Sequence, residues 1–421
     1  MALNVIEICA GAGGQSLGLE RAGFDHLLAV ELDPTAAQTL RLNRPNWDVR
    51  VGDVADKSVW DPQDYAPTDG KCVDLLAGGV PCPPFSIAGK QLGANDERDL
   101  FAWAVEQVGV IRPRAVLLEN VRGLSQARFA AYRQHVLDRL SDFGYQASWK
   151  LLQASDFGVP QLRPRFVLVA MEPEFMNHFA WPEPTKRQVN VGEALLDLMA
   201  SEGWAGADDW ATRADGIGPT LVGGSKKHGG ADLGPTRAKA AWAKLGVDGR
   251  GIANHAPGPD DPADISPRLT LAMAARIQGW NDQEYSWNFF GGKTSQYRQI
   301  GNAFPPPVAH AIGAAIVGAL NKTSPPQEMP DVIANSDALV TALKTSDGFI
   351  ESERLRRASG LTSRHESEFD RRMAEIRNAY EIESKTSGGK TYYRIGRFKG
   401  FVGQGDHSRN SFLRMHRSRV S

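Results

Sequence analysis

Three prolines within four residues, Pro81, Pro83 and Pro84, follow the apolar run 72–77 and the glycine pair Gly78-Gly79. Each proline fixes φ and removes a backbone donor, so neither a helix interior nor a central strand can continue through them. The run before them reads as a buried strand. Cys82, set between the prolines, is then held in a stiff loop at the carboxyl end of that strand, where open α/β sheets place their ligands. A thiol held this way is a candidate nucleophile; on spacing alone, a buried structural cysteine fits equally.

Two further apolar runs lead to residues that carry chemistry. Glu119 follows the run 115–118, and Gln161, Arg163 and Arg165 stand at the start of the run 166–170. At the amino end, 3–9 reads as a strand, Gly11-Ala12-Gly13-Gly14 as a tight turn and 15–22 as a helix. A glycine turn feeding a helix N-terminus lets backbone N–H groups approach an anionic ligand, although a packing turn of a doubly wound sheet has the same pattern. Glu31 ends a second strand, placed to accept from ribose hydroxyls. Asp53 follows a third, where it can accept from an exocyclic adenine amine. Acids at two successive strand ends suit a nucleoside, and the lysine of a P-loop is missing after the glycines. A helix over 128–143, a strand over 145–152 and another from 165 complete a six- or seven-stranded sheet.

Eight segments resemble, in order, the motifs of the DNA cytosine-C5 methyltransferases of bacterial restriction-modification type. They are EICAGAGG (7–14), AVELDP (29–34), GDV (52–54), GGVPCPPFS (78–86), LLENVRG (117–123), GVPQLRPR (158–165), RLTLAMAARIQGW (268–280) and YRQIGNAFPPPVAHAIG (297–313). The resemblance implies an α/β fold: a doubly wound, mostly parallel, Rossmann-like class I methyltransferase sheet that binds S-adenosyl-L-methionine. It implies that Cys82 attacks C6 of a flipped cytosine, that Glu119 holds the N3/N4 edge and that Arg165 holds the O2 side. Arg163 would orient Glu119 or the Cys82 loop. Around the cofactor it places Ile8, Ala10, Gly11, Gly13, Gly14, Glu31, Leu32, Asp53, Val54, Gly78, Pro81, Asn302 and Ala303, with Ser86 and Gln161 against DNA. One departure stands out: Glu7-Ile8-Cys9 occupies the place of the family's usual Asp-Leu-Phe, so the Phe edge near the cofactor is missing.

The α/β pattern breaks beyond Pro173. Thirteen glycines lie between 201 and 265, with Trp204, Trp210 and Trp242 among scattered cations. This is either a loop-rich insertion with a small tryptophan core or a target-recognition region laying basic loops on DNA. Its position between the arginine strand and Arg268-Leu269-Thr270 is that of the family's recognition region, with Lys226, Lys227 and Arg237 as DNA contacts. The predicted organisation is a catalytic domain over 1–180 and 295–322, a recognition region over 181–294, a linker over 323–330 and a C-terminal domain over 331–421.

Charge follows this division. The chain carries −1 overall, but 351–421 holds sixteen Lys and Arg against nine Asp and Glu, so this part is +7 and residues 1–350 are −8. The tail lies outside the resemblance. Helical patterns over 337–344, 352–359 and 363–380, then a hairpin about Ser387-Gly388-Gly389, give a winged-helix-like outline that suits DNA or a protein partner. The three cysteines show neither metal-ligand spacing nor a disulfide framework, so no metal is expected and a reducing cytoplasm is. No signal peptide is visible, and the apolar stretch 308–320 is too short for a membrane span. The expectation is a cytoplasmic, nucleoid-associated monomer acting on double-stranded DNA, accompanied by a cognate restriction endonuclease. An RNA C5 methyltransferase, a DNA-binding regulator working through the tail and a protein-docking tail that recruits a nuclease or repair partner are the alternatives. The long insertion favours duplex reading, and the intact catalytic and cofactor segments argue against regulation alone.

Overall fold

The computed structural model describes residues 3–68, 70–80, 100–223, 230–281, 283–326, 337–361 and 366–399. The first half alternates strands and helices: β1 (Leu3–Ile8), α1 (Gly14–Ala22), β2 (Phe24–Glu31), α2 (Pro34–Asn43), β3 (Val49–Val51), β4 (Leu75–Gly78), α3 (Leu100–Ile111), β5 (Ala115–Val121), α4 (Ala130–Asp142), β6 (Gln146–Gln153), β7 (Gln161–Leu162) and β8 (Pro164–Met171). Seven of these strands form one sheet in the order β3-β2-β1-β4-β5-β8-β6.

Every pairing from β3 to β5 is parallel, whereas β8 runs antiparallel to both β5 and β6. The reversal has a simple cause. Parallel neighbours need a crossover of a dozen or more residues, usually helical; only 154–163 separate β6 from β8, and no α-helix forms there. From β1 the chain moves to β2 on one side and later to β4 on the other. The carboxyl ends of β1, β2, β4 and β5 therefore share one edge at a topological switch point. Cys9, Glu31, Gly79 and Glu119 all arrive at that edge.

After α5 (Pro173–Met176) the chain crosses the 181–294 insertion, through α6 (Val191–Ala200), α7 (Ala207–Arg213), β9 (Gly218–Pro219), α8 (Thr236–Lys244) and α9 (Leu271–Gln278). The three tryptophans do form a core. Trp204, Trp210 and Trp242 are buried beside Leu195, Met273 and Ile277, and the Trp210 and Trp204 indoles donate to the carbonyls of Gly246 (3.0 Å) and Pro262 (3.1 Å). Several cations of this region are already paired: Lys239 with Asp232 at 2.8 Å, and both Arg250 and Arg268 with Asp248, at 2.9 and 3.0 Å. Arg237 is exposed in the first turn of α8. Lys226 and Lys227 lie outside the described residues.

Two helices, α10 (Lys293–Asn302) and α11 (Pro306–Leu320), return the chain to the sheet. By length and composition alone 293–320 is apolar enough to span a membrane. Prolines at 305–307 divide it, and α11 buries Val308, Ala309, Ile312 and Ile316 in the core. A Cβ on Gly18 would collide with Ala309 and one on Gly313 with Ala22, so these glycines let α1 and α11 touch. Asn302 ends α10, and no side chain caps α11, which begins after Pro305.

In the tail, α12 (Ala338–Lys344), β10 (Ile350–Glu351), α13 (Ser352–Ala358), α14 (Glu366–Ala379), β11 (Tyr380–Ser387) and β12 (Lys390–Phe398) follow winged-helix order, with a sheet β10-β12-β11. Phe369, Met373 and Ile376 face inward at the expected spacing. This module is seated on α4. Phe398 stacks on His135 with ring centroids 3.5 Å apart, Tyr132 lies 5.8 Å from Phe398, and Lys344 pairs with Asp138. Burial, then Lys344 and Arg139, push the His135 pKa down to about 3. The imidazole is therefore held neutral in the fold, and an unfolded histidine binds more protons between pH ~6.5 and 3. Stability from this contact is full above pH ~6.5 and is lost as pH falls toward 3. Thermal melting of wild type should fall more steeply from pH 7 to 5 than that of His135→Phe; parallel slopes would remove His135 from the acid response.

Candidate active site

The glycine turn after β1 is built by four different constraints. Gly11 adopts φ +58, and a Cβ there would meet nothing within 4 Å, so its face is open. Gly13, at φ +93, is closed by Trp287 and Leu40, and Gly14 by the carbonyl of Phe304. The Trp287 indole donates to the Ala12 carbonyl at 2.7 Å, which ties the 181–294 insertion to this turn. Glu31 secures the open side: its two oxygens accept from the Gly11 and Asp33 amides, each at 2.7 Å. Burial holds the Glu31 carboxyl above the usual range, against the pull of those two amides.

Asp53 accepts from the Ala55 amide at 3.0 Å, and Val54 is buried beneath it. Leu32 is exposed beside Glu31, while Ile8 and Ala10 are buried below the turn. Together they form a wall with an apolar floor, two carboxylates and one open glycine, which fits the nucleoside of S-adenosylmethionine. Ala303 reaches the same edge because Phe304 packs on Gly14. Asn302 lies against Gly223 of the 181–294 insertion. At Gly78 the missing Cβ makes room for Ile8 and Val80, whereas a Cβ on its neighbour Gly79 would make only ordinary contacts.

On the next strands, Val121 stands opposite Arg165 in the antiparallel pair of β5 and β8. Residues two apart share a face, so Glu119 and Arg165 are diagonal neighbours on one side of the sheet. Their side chains meet as an ion pair, Arg165 Nε to Glu119 Oε1 at 2.6 Å. Burial raises the Glu119 pKa, and Arg165 and then Arg163 oppose the shift. Asn120 carries no comparable signal in the sequence. It donates to the Val80 carbonyl at 3.0 Å and so fixes where the proline loop leaves β4, beside Glu119. Cys82, Pro81 and Ser86 lie outside the described residues.

Arg163 and Gln161 stand apart from the other expected site residues. Arg163, only 2% exposed, makes no hydrogen bond to Glu119 among the described residues; it donates to the carbonyls of Leu221 (2.9 Å), Gly301 (2.7 Å) and Ala303 (3.0 Å). Gln161 is fully buried, donates to Gln278 Oε1 at 2.6 Å and accepts from the Leu221 amide at 2.7 Å. Both residues bolt the sheet to the 181–294 insertion and to 301–303, a role that residue type alone does not signal. Arg163→Met should therefore act on stability, leaving three carbonyls without their donor. We expect a loss of about 3–5 kcal/mol in urea unfolding; a fully stable variant that only turns over slowly would restore Arg163 to the chemistry.

The model of the C-5 cytosine-specific DNA methylase family matches residues 3–318. The Type II methyltransferase M.NaeI of Lentzea aerocolonigenes is 57% identical over 419 residues, covering 100% of this chain and 99% of the relative. The Type II methyltransferase M.NgoMIV of Neisseria gonorrhoeae is 50% identical over 326 residues, covering 76% of this chain and 99% of the relative. Among solved structures, a proposed DNA modification methyltransferase encoded within an E. coli prophage matches with a TM-score of 0.53 at 22% identity, over 76% of this chain and 100% of that one; this likeness concerns the fold.

Proposed function

The chain belongs to the C-5 cytosine-specific DNA methylase family, and from that premise we propose how its own residues methylate DNA. The reaction is transfer of a methyl group from S-adenosylmethionine to C5 of cytosine. The single observation that carries the assignment of roles is the buried Glu119–Arg165 pair at the mouth of the proline loop.

A cytosine within a duplex hides its ring face, so the target base must leave the stack and enter the site as a flipped nucleotide. The Cys82 thiolate adds to C6, which places electron density on C5. Glu119 faces the N3 edge, and its raised pKa favours a protonated carboxyl that donates as charge builds on the ring. Arg165 fixes the Glu119 carboxyl from its far side and carries the charge complement for the O2 edge. Bound S-adenosylmethionine supplies an electrophilic methyl group on sulfur; Glu31 and Asp53 hold its nucleoside end. A base then removes the C5 proton and Cys82 departs. Arg237, exposed on α8, is a DNA contact of the recognition region, together with Lys226 and Lys227. The two relatives are Type II enzymes, which supports a protective role beside a restriction endonuclease in the bacterial cytoplasm.

A target cytosine carrying fluorine at C5 tests the nucleophile. Fluorine cannot leave as a cation, so methylation should end in a denaturant-resistant protein–DNA adduct that needs S-adenosylmethionine and maps to the Cys82 peptide. Cys82→Ser should abolish adduct and turnover, because a hydroxyl is far less ionised than a thiol near neutral pH. An adduct at Cys9 or Cys72 would overturn the assignment.

We assign the tail a supporting role, since M.NgoMIV aligns over 99% of its length while using 76% of this chain. A chain ending at Lys322 should still methylate DNA, with a lower melting temperature because Tyr132 and His135 on α4 lose their cover. A truncated protein that folds and binds cofactor yet cannot methylate would place the tail in the catalytic machinery.

A further inference from the structure

Gln15 opens the helix α1 directly after the glycine turn, and only 3% of it is exposed. Neither its amide oxygen nor its amide nitrogen has a hydrogen-bond partner among the described residues. A buried amide left in that state costs stability, and native chains keep such groups where a ligand completes them.

Its neighbours indicate the ligand's chemistry. A Cβ built on Gly79 would stand 3.6 Å from Glu119 Oε2, 3.7 Å from the Cys9 carbonyl oxygen and 3.9 Å from Gln15 Oε1. A methyl-sized group at this point would thus have these three oxygens as its nearest neighbours. Cys9 presents its carbonyl there through a left-handed backbone at φ +53, uncommon for a residue with a side chain. A carboxylate would meet the acceptor oxygens of Cys9 and Gln15 there with no donor from either. A small cationic donor fits.

We propose that Gln15 is a cofactor-binding residue whose amide oxygen, with the Cys9 carbonyl and Glu119 Oε2, receives the α-ammonium group of S-adenosylmethionine. The inference rests on the methyltransferase reading above. It gives the methionine end a side-chain acceptor on α1, and it makes Gly79 the residue that leaves the room.

Gln15→Met keeps length and removes the amide. S-adenosylhomocysteine, which carries the ammonium, should bind this variant about ten-fold more weakly by calorimetry, the scale of a lost hydrogen bond to a charged group. The nucleoside 5′-methylthioadenosine, which lacks the amino-acid end, should bind both proteins equally. The ligand-free variant should melt no lower than wild type, because an unsatisfied amide has been replaced by an apolar chain of similar shape. Gly79→Ala puts a methyl group into the same space and should show the same selective loss. Equal weakening of both ligands, a lowered ligand-free melting temperature in Gln15→Met, or unchanged S-adenosylhomocysteine binding would each overturn the assignment. A change confined to DNA affinity would overturn it too, moving Gln15 to the target base. Wild-type protein that binds neither ligand would reject the methyltransferase reading itself, an outcome distinct from all of these.

Discussion

A guanidinium keeps its charge wherever the chain puts it, so a buried one must be met by acceptors. Arg163 is met by neutral oxygens, the carbonyls of Leu221, Gly301 and Ala303 and, at 3.5 Å, Gln161 Oε1. The carbonyls come from the 181–294 insertion and from the end of α10 with the residue after it, far apart in sequence and brought to the link between β7 and β8. Gln161 adds Leu221 and Gln278 to the same knot, and Gln278 returns to the Ala303 carbonyl at 2.6 Å. The orientation of the 181–294 insertion toward the sheet edge depends on this network. Its buried donors would be left without acceptors if the region swung away.

Much of this is legible in the sequence, and the reason is local. Strand ends, the glycine turn and the proline loop are written in short stretches whose backbone preferences do not depend on distant residues. Glu119 and Arg165 stand out because charged residues at buried strand ends need a purpose. Arg163 and Gln161 are harder to read because they stand within four residues of Arg165 in one short stretch. What separates them is which carbonyls lie opposite, and that is set by segments 58 to 140 residues away. Gln15 leaves no signal at all, since an orphaned amide exists only once the surrounding atoms are placed. The reversed β8 is open to inference from the short connection 154–163.

The Glu119–Arg165 pair is a poor device for stability. Removing two charges from water costs about as much as their attraction returns, and an apolar pair of equal volume often does as well. Its retention at the switch point makes sense as pre-organisation: the carboxyl is held for a base that arrives later, with its protonated form favoured by burial. The same arrangement leaves Glu119 Oε2 turned toward Gly79 while Oε1 is engaged by Arg165. One carboxyl thus connects the base side and the cofactor side of the edge.

Charge in the tail has to be read with its pairing. The described residues after 336 hold twelve Lys and Arg against ten Asp and Glu, and several of those cations are engaged within the module. Arg394 pairs with Glu383, Arg397 with Glu381, Lys390 with Glu351 and Arg357 with Glu353. The hairpin of the winged helix therefore presents alternating charge, and the +7 of the sequence does not gather there as one basic face. What the module does present is an aromatic and ionic seat for α4, through Phe398, Tyr380 and Lys344. Because α4 leads from β5 to β6, the tail braces the layer behind the strand that carries Glu119. Its mechanical connection to the active edge is therefore more direct than its electrostatic connection to DNA.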